Sequence, residues 1–226
     1  MFKRLYSLLH RLTSAPDERG FYSGGYLQKK VREEASSMCE NLTGRLLEIG
    51  CGEGLFIGPL AARNRHARIW GLDNSENRLE EAKARISRDH LSDVELRLGE
   101  AARLPFADGY FDIVVCVNTI FNMRRMEDVK KTLAEMARVL KAGGKMIFDF
   151  RNSMNLLLVL KYRLAPFYDD TLKGLSLNTF SLREINMMLD GLGVKIAKKR
   201  YIPASFERSR LGRTFAPVII VEARKG

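Results

Sequence analysis

The chain has 226 residues, 46% of them hydrophobic and 29% charged, which suits one large globular domain and excludes a disordered or low-complexity chain. The densest apolar stretch, Leu156 to Leu160, is far below the roughly 20 residues of a spanning helix. The formal charge is +11, yet residues 31–194 balance, so the whole excess sits on the two ends, residues 1–30 and 195–226.

Basic ends suit RNA, an anionic lipid surface, an acidic substrate or plain solvation. Met1 to Leu12 lacks the continuous apolar core and cleavage site of a signal peptide, so a cytoplasmic protein is expected. Cys39, Cys51 and Cys116 are widely spaced and odd in number. This pattern predicts buried thiols, with neither a metal site nor a disulfide framework.

Met1 to Thr13 has apolar residues at helical spacing with basic residues between them, and Tyr26 to Leu42 reads as a second helix. Residues 1–43 are expected to form a helical lid or cap, with a membrane-surface contact of the first helix as the alternative. From Gly44 onward strands and helices alternate. Strands are predicted at Arg45–Ile49, Ala67–Leu72, Val94–Leu98, Phe111–Val117 and Lys145–Phe150. Helices are predicted at Leu55–Arg63, Glu76–Ser87 and Met126–Leu140, the last closed by Gly143 and Gly144. Such alternation implies a doubly wound, mostly parallel α/β sheet. Residues 151–180 break the rhythm and read as an insertion over the acceptor site, with a short helix near Ser153–Tyr162. Ser181 to Glu184 has the spacing of a capping box. Two closing strands, Val194–Ile202 and Ala216–Ala223, bring the sheet to seven, the last antiparallel.

The most informative segment is Leu46 to Gly54, where an apolar strand runs into Gly50, Gly52 and Gly54. Glycine lets a backbone turn sharply and lie close to a ligand. The dinucleotide fingerprint needs a glycine where Leu55 stands, and Glu48 would repel a pyrophosphate, whereas a cationic ligand would welcome it. Asp73, at the tip of the second strand, suits the two hydroxyls of a ribose in any nucleotide cofactor. As a purely structural residue it would cap the following helix.

These segments resemble the class I S-adenosylmethionine-dependent methyltransferases, in particular the small-molecule, quinone-biosynthesis type. Glu48–Gly54 matches the family's first motif and Trp70–Ser75 its second. Gly99–Phe106, Asp108–Asp112 and Arg138–Gly144 resemble the third, fourth and fifth strand motifs, in order, across about residues 44–150. The resemblance implies a Rossmann-like fold, S-adenosyl-L-methionine as cofactor and methyl transfer to a small-molecule or lipid-like acceptor. It places Gly50, Cys51 and Gly52 at the methionine moiety and Asp73 at the ribose, with Asn74 beside the adenine. Glu100, where many members carry Asp, and Ala101 would read the adenine edge, and Asn118 would face the reaction centre.

Tyr22, Tyr26, Asn122 and Arg151 are acceptor-side candidates by position, as are Asn155, Tyr162 and Arg163. Methyl transfer needs no particular catalytic residue unless the acceptor must lose a proton, and none stands out. No Asn/Asp-Pro-Pro-Tyr motif follows the fourth strand, and Cys116 lacks a preceding proline. The amino-group methylases and the cytosine C5 methylases are therefore disfavoured. An RNA methyltransferase using the basic ends remains open, as does a non-catalytic cofactor-binding module.

Overall fold

The computed structural model describes residues 2–13, 25–168, 177–203 and 215–226. Its elements run α1 (Phe2–Thr13), α2 (Tyr26–Met38), β1 (Arg45–Ile49), α3 (Ile57–Arg63), β2 (Arg68–Asp73), α4 (Glu76–Arg88) and β3 (Val94–Leu98). After these come β4 (Phe111–Cys116), α5 (Met126–Val139), β5 (Leu140–Arg151), α6 (Leu156–Tyr168), α7 (Leu182–Asp190), β6 (Val194–Ile202) and β7 (Val218–Lys225).

The seven strands form one sheet in the order β3-β2-β1-β4-β5-β7-β6. The first five are parallel, and β7 runs antiparallel between β5 and β6. The central strands bury both faces, in keeping with apolar stretches such as Ile113–Cys116. On one face, Leu47, Val114 and Phe148 pack against Val129, Leu133 and Met136 of α5 and Ile185 of α7. On the other, Leu46, Val115 and Ile147 pack against Val31 and Ala35 of α2 and Ile57 and Leu60 of α3. Helix α2 is thus a layer of the sandwich as well as a neighbour of the site. Helix α1 lies instead against α6, where the rings of Tyr6 and Tyr168 stand 6.0 Å apart.

Two boundaries differ from the sequence expectation for identifiable reasons. Gly143 and Gly144 do not close α5. That helix ends at Val139, and β5 pairs with β4 at Leu140 and again from Lys145. The intervening residues loop out, and Gly143 takes a positive φ of 73° there. Helix α6 starts three residues later than expected and runs on to Tyr168, through Pro166. The capping box holds: Ser181 Oγ accepts from the Glu184 N–H, and Glu184 accepts from the Ser181 N–H. All three cysteines are buried and free.

Candidate cofactor and acceptor site

In open α/β sheets ligands bind where strand order reverses, outside the carboxyl ends of the strands. Here that point lies between β1 and β4, because β2 and β3 extend the sheet to one side of β1 and β4 to the other. A cavity of about 720 Å³ opens there.

Its floor is the loop after β1. Gly50, Gly52 and Gly54 all have positive φ, at 73°, 49° and 77°. The N–H groups of Gly50 and Cys51 donate to Leu72 O at 2.7 and 3.1 Å, and that of Gly52 donates to Asp73 Oδ2 at 2.8 Å. These donors are committed to β2, so the loop makes room for a ligand mainly by lacking side chains. Arg85 Nε of α4 donates to Glu53 O and ties the loop from behind. Asp73 Oδ1 accepts from the Ser75 N–H at 3.0 Å. Asp73 therefore serves the start of α4 and the glycine loop together, while lining the cavity.

Glu48 points into the cavity from β1 and is 3% exposed, and its Oε2 has no hydrogen-bond partner. Burial pushes its carboxyl up to about 8, opposed by the charge of Arg32 and reinforced by that of Asp73. Arg32, from α2, is itself held below the usual guanidinium range by burial. On the opposite wall Asn118 takes a φ of 54°, a left-handed conformation that Asn tolerates better than most residues. Its N–H donates to the buried Asp149 Oδ1 at 2.5 Å, and its Nδ2 donates to Gln28 O at 3.1 Å. Asn118 Oδ1 and Asn122 Oδ1 are buried without hydrogen-bond partners. Three unpaired buried acceptors around one cavity would be costly unless a ligand with donors or positive charge filled it. These acceptors, with the Glu48 carboxyl among them, suit the amino acid sulfonium of the expected cofactor.

Gly99 to Ala102 line one end of the cavity. An arginine braces the residues that follow them. Arg138 of α5 pairs with Glu135 and Asp108 and donates to the carbonyls of Leu104 and Phe106, while Glu135 accepts from the Leu104 N–H.

All nine expected cofactor residues line this one cavity: Glu48, Gly50, Cys51, Gly52, Asp73, Asn74, Glu100, Ala101 and Asn118. Asn122 lines it too. Two acceptor-side expectations need correction. Arg151 is 2% exposed and is not in the lining. It pairs with Asp149 at 2.8 Å and lies 3.9 Å over the Phe121 ring, so it supports the wall from behind. Tyr26 also lies outside the lining, its ring beneath Lys30 Nζ. Tyr22 falls outside the described residues. Of the further candidates, Asn155 donates to Phe215 O and so braces the chain at the foot of α6.

Lining residues that sequence reasoning missed include Gln28, Arg32, Arg78, Thr119 and Phe121. Arg32 carried no signal, since it sits in a helix full of charges and meets Glu48 only through the fold. Burial raises all three thiols, Cys39 to about 12, so no thiolate nucleophile exists near neutral pH.

Residues 47–148 match the family model of a methyltransferase domain, and this stretch contains the glycine loop, Asp73, Glu100 and Asn118. Joined to the seven-stranded topology, the match makes this part of the chain similar to the S-adenosylmethionine-dependent methyltransferases. Among curated proteins, demethylmenaquinone methyltransferase of Bacillus mycoides is 31% identical over 147 residues, which cover 64% of this chain and 61% of that protein. An uncharacterised protein of transposon TN4556 from Streptomyces fradiae is 32% identical over 140 residues, which cover 60% of this chain and 39% of that protein. The chain thus spans less than two thirds of the length of these relatives.

Among solved structures, magnesium protoporphyrin IX methyltransferase of Synechocystis superposes with a TM-score of 0.69 at 19% identity, over 99% of this chain and 94% of that one. An N-methyltransferase of Bradyrhizobium japonicum superposes with a TM-score of 0.66 at 16% identity, over 98% of each chain. At these identities the likeness speaks for the fold. Among the described residues no helix is long and apolar enough to cross a membrane, and no cluster of His, Cys, Asp and Glu could hold a metal ion.

Proposed function

We propose that this protein transfers a methyl group from S-adenosylmethionine to a small, lipid-like acceptor. The observation that carries this reading is the buried carboxylate of Glu48, whose Oε2 has no hydrogen-bond partner, beside a glycine loop that is locked to Asp73. When bound, the cofactor supplies an electrophilic methyl on a positively charged sulfur, so the protein's work is placement and exclusion of water. Glu48 balances the positive end of the ligand, Asp73 takes the ribose hydroxyls, and Glu100 with Ala101 borders the base. Asn118 and Asn122 present amide oxygens near the reacting end. Gln28 and Arg32 bring α2 in as a wall, in keeping with a capping role for the N-terminal region.

The names of two similar proteins, one acting on demethylmenaquinone and one on magnesium protoporphyrin IX, favour a large apolar ring acceptor. The test is calorimetric titration with S-adenosylmethionine and with NADH, followed by transfer of labelled methyl into a lipid extract, a total RNA fraction and a protein fraction. Binding of S-adenosylmethionine alone, with label in the lipid fraction, is expected. Label in RNA would move the acceptor to nucleic acid, and occupancy by NADH alone would end the reading.

A further inference from the structure

Helix α6 is built the wrong way round for a surface helix. Its sequence, Leu156–Tyr168, contains no acidic residue and is largely apolar. Leu158, Lys161 and Ala165 point inward. The outward stripe at i, i+4, i+7 and i+11 consists of Leu156, Leu160, Arg163 and Phe167, with Leu157 at its edge. Leu156 is 71% exposed and Phe167 77%. Helix α1, packed alongside, adds exposed Phe2 and Leu8. Contiguous exposed apolar surface marks a contact site.

The charges nearby identify the contact. Lys3, Arg4 and Arg163 are exposed on these two helices, and neither helix carries Asp or Glu. Among the described residues of these two helices, a face of leucine and phenylalanine flanked by cations complements an apolar phase bordered by anions.

We propose that the α1–α6 face docks on the surface of an anionic phospholipid bilayer, its leucines and phenylalanines seated at the level of the head groups. Helix α6 is linked to the site through its half-buried side. Tyr162 of α6 accepts a hydrogen bond from Arg151 Nε at 3.3 Å, Arg151 lies over Phe121, and Phe121 lines the cavity. Docking would hold this wall of the cavity near the bilayer, from which an apolar acceptor could enter. The lipid contact goes beyond the methyl-transfer reading and is measured without it.

The experiment is flotation of the full chain with vesicles of phosphatidylglycerol and phosphatidylcholine, and with vesicles of phosphatidylcholine alone. The wild type should float with the anionic vesicles. L156E/L157E should lose at least about tenfold in partitioning, since each leucine withdraws several methylenes from lipid. K3E/R4E should lose binding to anionic vesicles and match the wild type on neutral ones. Both variants should bind S-adenosylmethionine like the wild type by calorimetry, which separates this proposal from the cofactor reading. A wild type that stays with the soluble fraction, or variants that float equally well, would overturn it. So would a dimer in analytical ultracentrifugation that L156E/L157E dissolves while vesicle binding is absent, because the face would then join two copies of the chain.

Discussion

The carboxylate of Asp73 accepts the Gly52 N–H at 2.8 Å, so the tip of β2 and the loop after β1 form one unit before any ligand arrives. The other oxygen of the same carboxylate takes the Ser75 N–H. An ionised acceptor is worth more to a backbone donor than a neutral one, at about 1.5–3 kcal/mol per bond. Asp73→Ala should therefore cost stability as well as cofactor affinity. A melting temperature lower by several degrees and an affinity for S-adenosylmethionine at least about 100-fold weaker are expected. Unchanged affinity by calorimetry would remove Asp73 from the ribose.

Glu48 makes the ligand-free protein pH-dependent. Its folded carboxyl lies near 8, above the usual range, because burial disfavours the charge. The protonated form is thus favoured by folding. Its stabilising contribution is complete below about pH 4.5 and is lost as the pH climbs toward 8. Glu48→Gln should remove this loss, raising the melting temperature more at pH 8 than at pH 5. A positively charged ligand prefers the ionised form. Wild-type affinity should accordingly rise between pH 6 and 8 with release of a proton, seen as a buffer-dependent heat. A heat identical in phosphate and Tris would contradict the assignment.

Gly50 combines a positive φ with a close neighbour, since a Cβ built there would collide with the side chain of Thr119. Gly50→Ala should cost roughly 2–4 kcal/mol from backbone strain and overlap together. Adding Thr119→Ala should return part of it, leaving the strain. Full recovery in the double variant would show that the left-handed backbone carries no cost here.

Arg138 ties the chain just after Glu100 and Ala101, at Leu104, Phe106 and Asp108, to α5 and its Glu135. Its charge is held more firmly than usual by the Glu135 and Asp108 carboxylates. Arg138→Met should raise KM for the cofactor more than it lowers kcat, because Glu100 and Ala101 lose their support while the reacting end does not. Equal effects on both constants would place the damage elsewhere.

The Asp149–Arg151 pair is almost sealed from water, and Asp149 also fixes the Asn118 N–H. Removing one member of a buried pair strands the other, at about 3–5 kcal/mol. Arg151→Met should therefore unfold at markedly lower urea concentration. A loss of turnover with unchanged stability would return Arg151 to the acceptor side.

The seven strands, their order along the chain, the glycine loop and nine residues that line one cavity were legible in the sequence. Each depends on local chemistry. Apolar runs make buried strands, glycines allow positive φ where β1 ends, and a carboxylate at a strand tip is recognisable by its spacing. Elements set by packing were not legible at that level. The looped-out residues before Lys145 read as a helix stop because glycine punctuates both. Arg151 looked like an acceptor contact because it follows the expected fifth strand; the strand runs on through Arg151, which sets it on the same face as Asp149 two residues earlier. The partnership of Arg32 with Glu48, and the exposure of leucines on α6 that composition alone would have buried, are further cases. Local preferences act over a few residues, so the sequence by itself determined the elements and the cofactor loop. Which charges meet, which arginine is buried and which apolar face stays outside are settled by contacts between distant segments, and those existed only once the tertiary structure had formed.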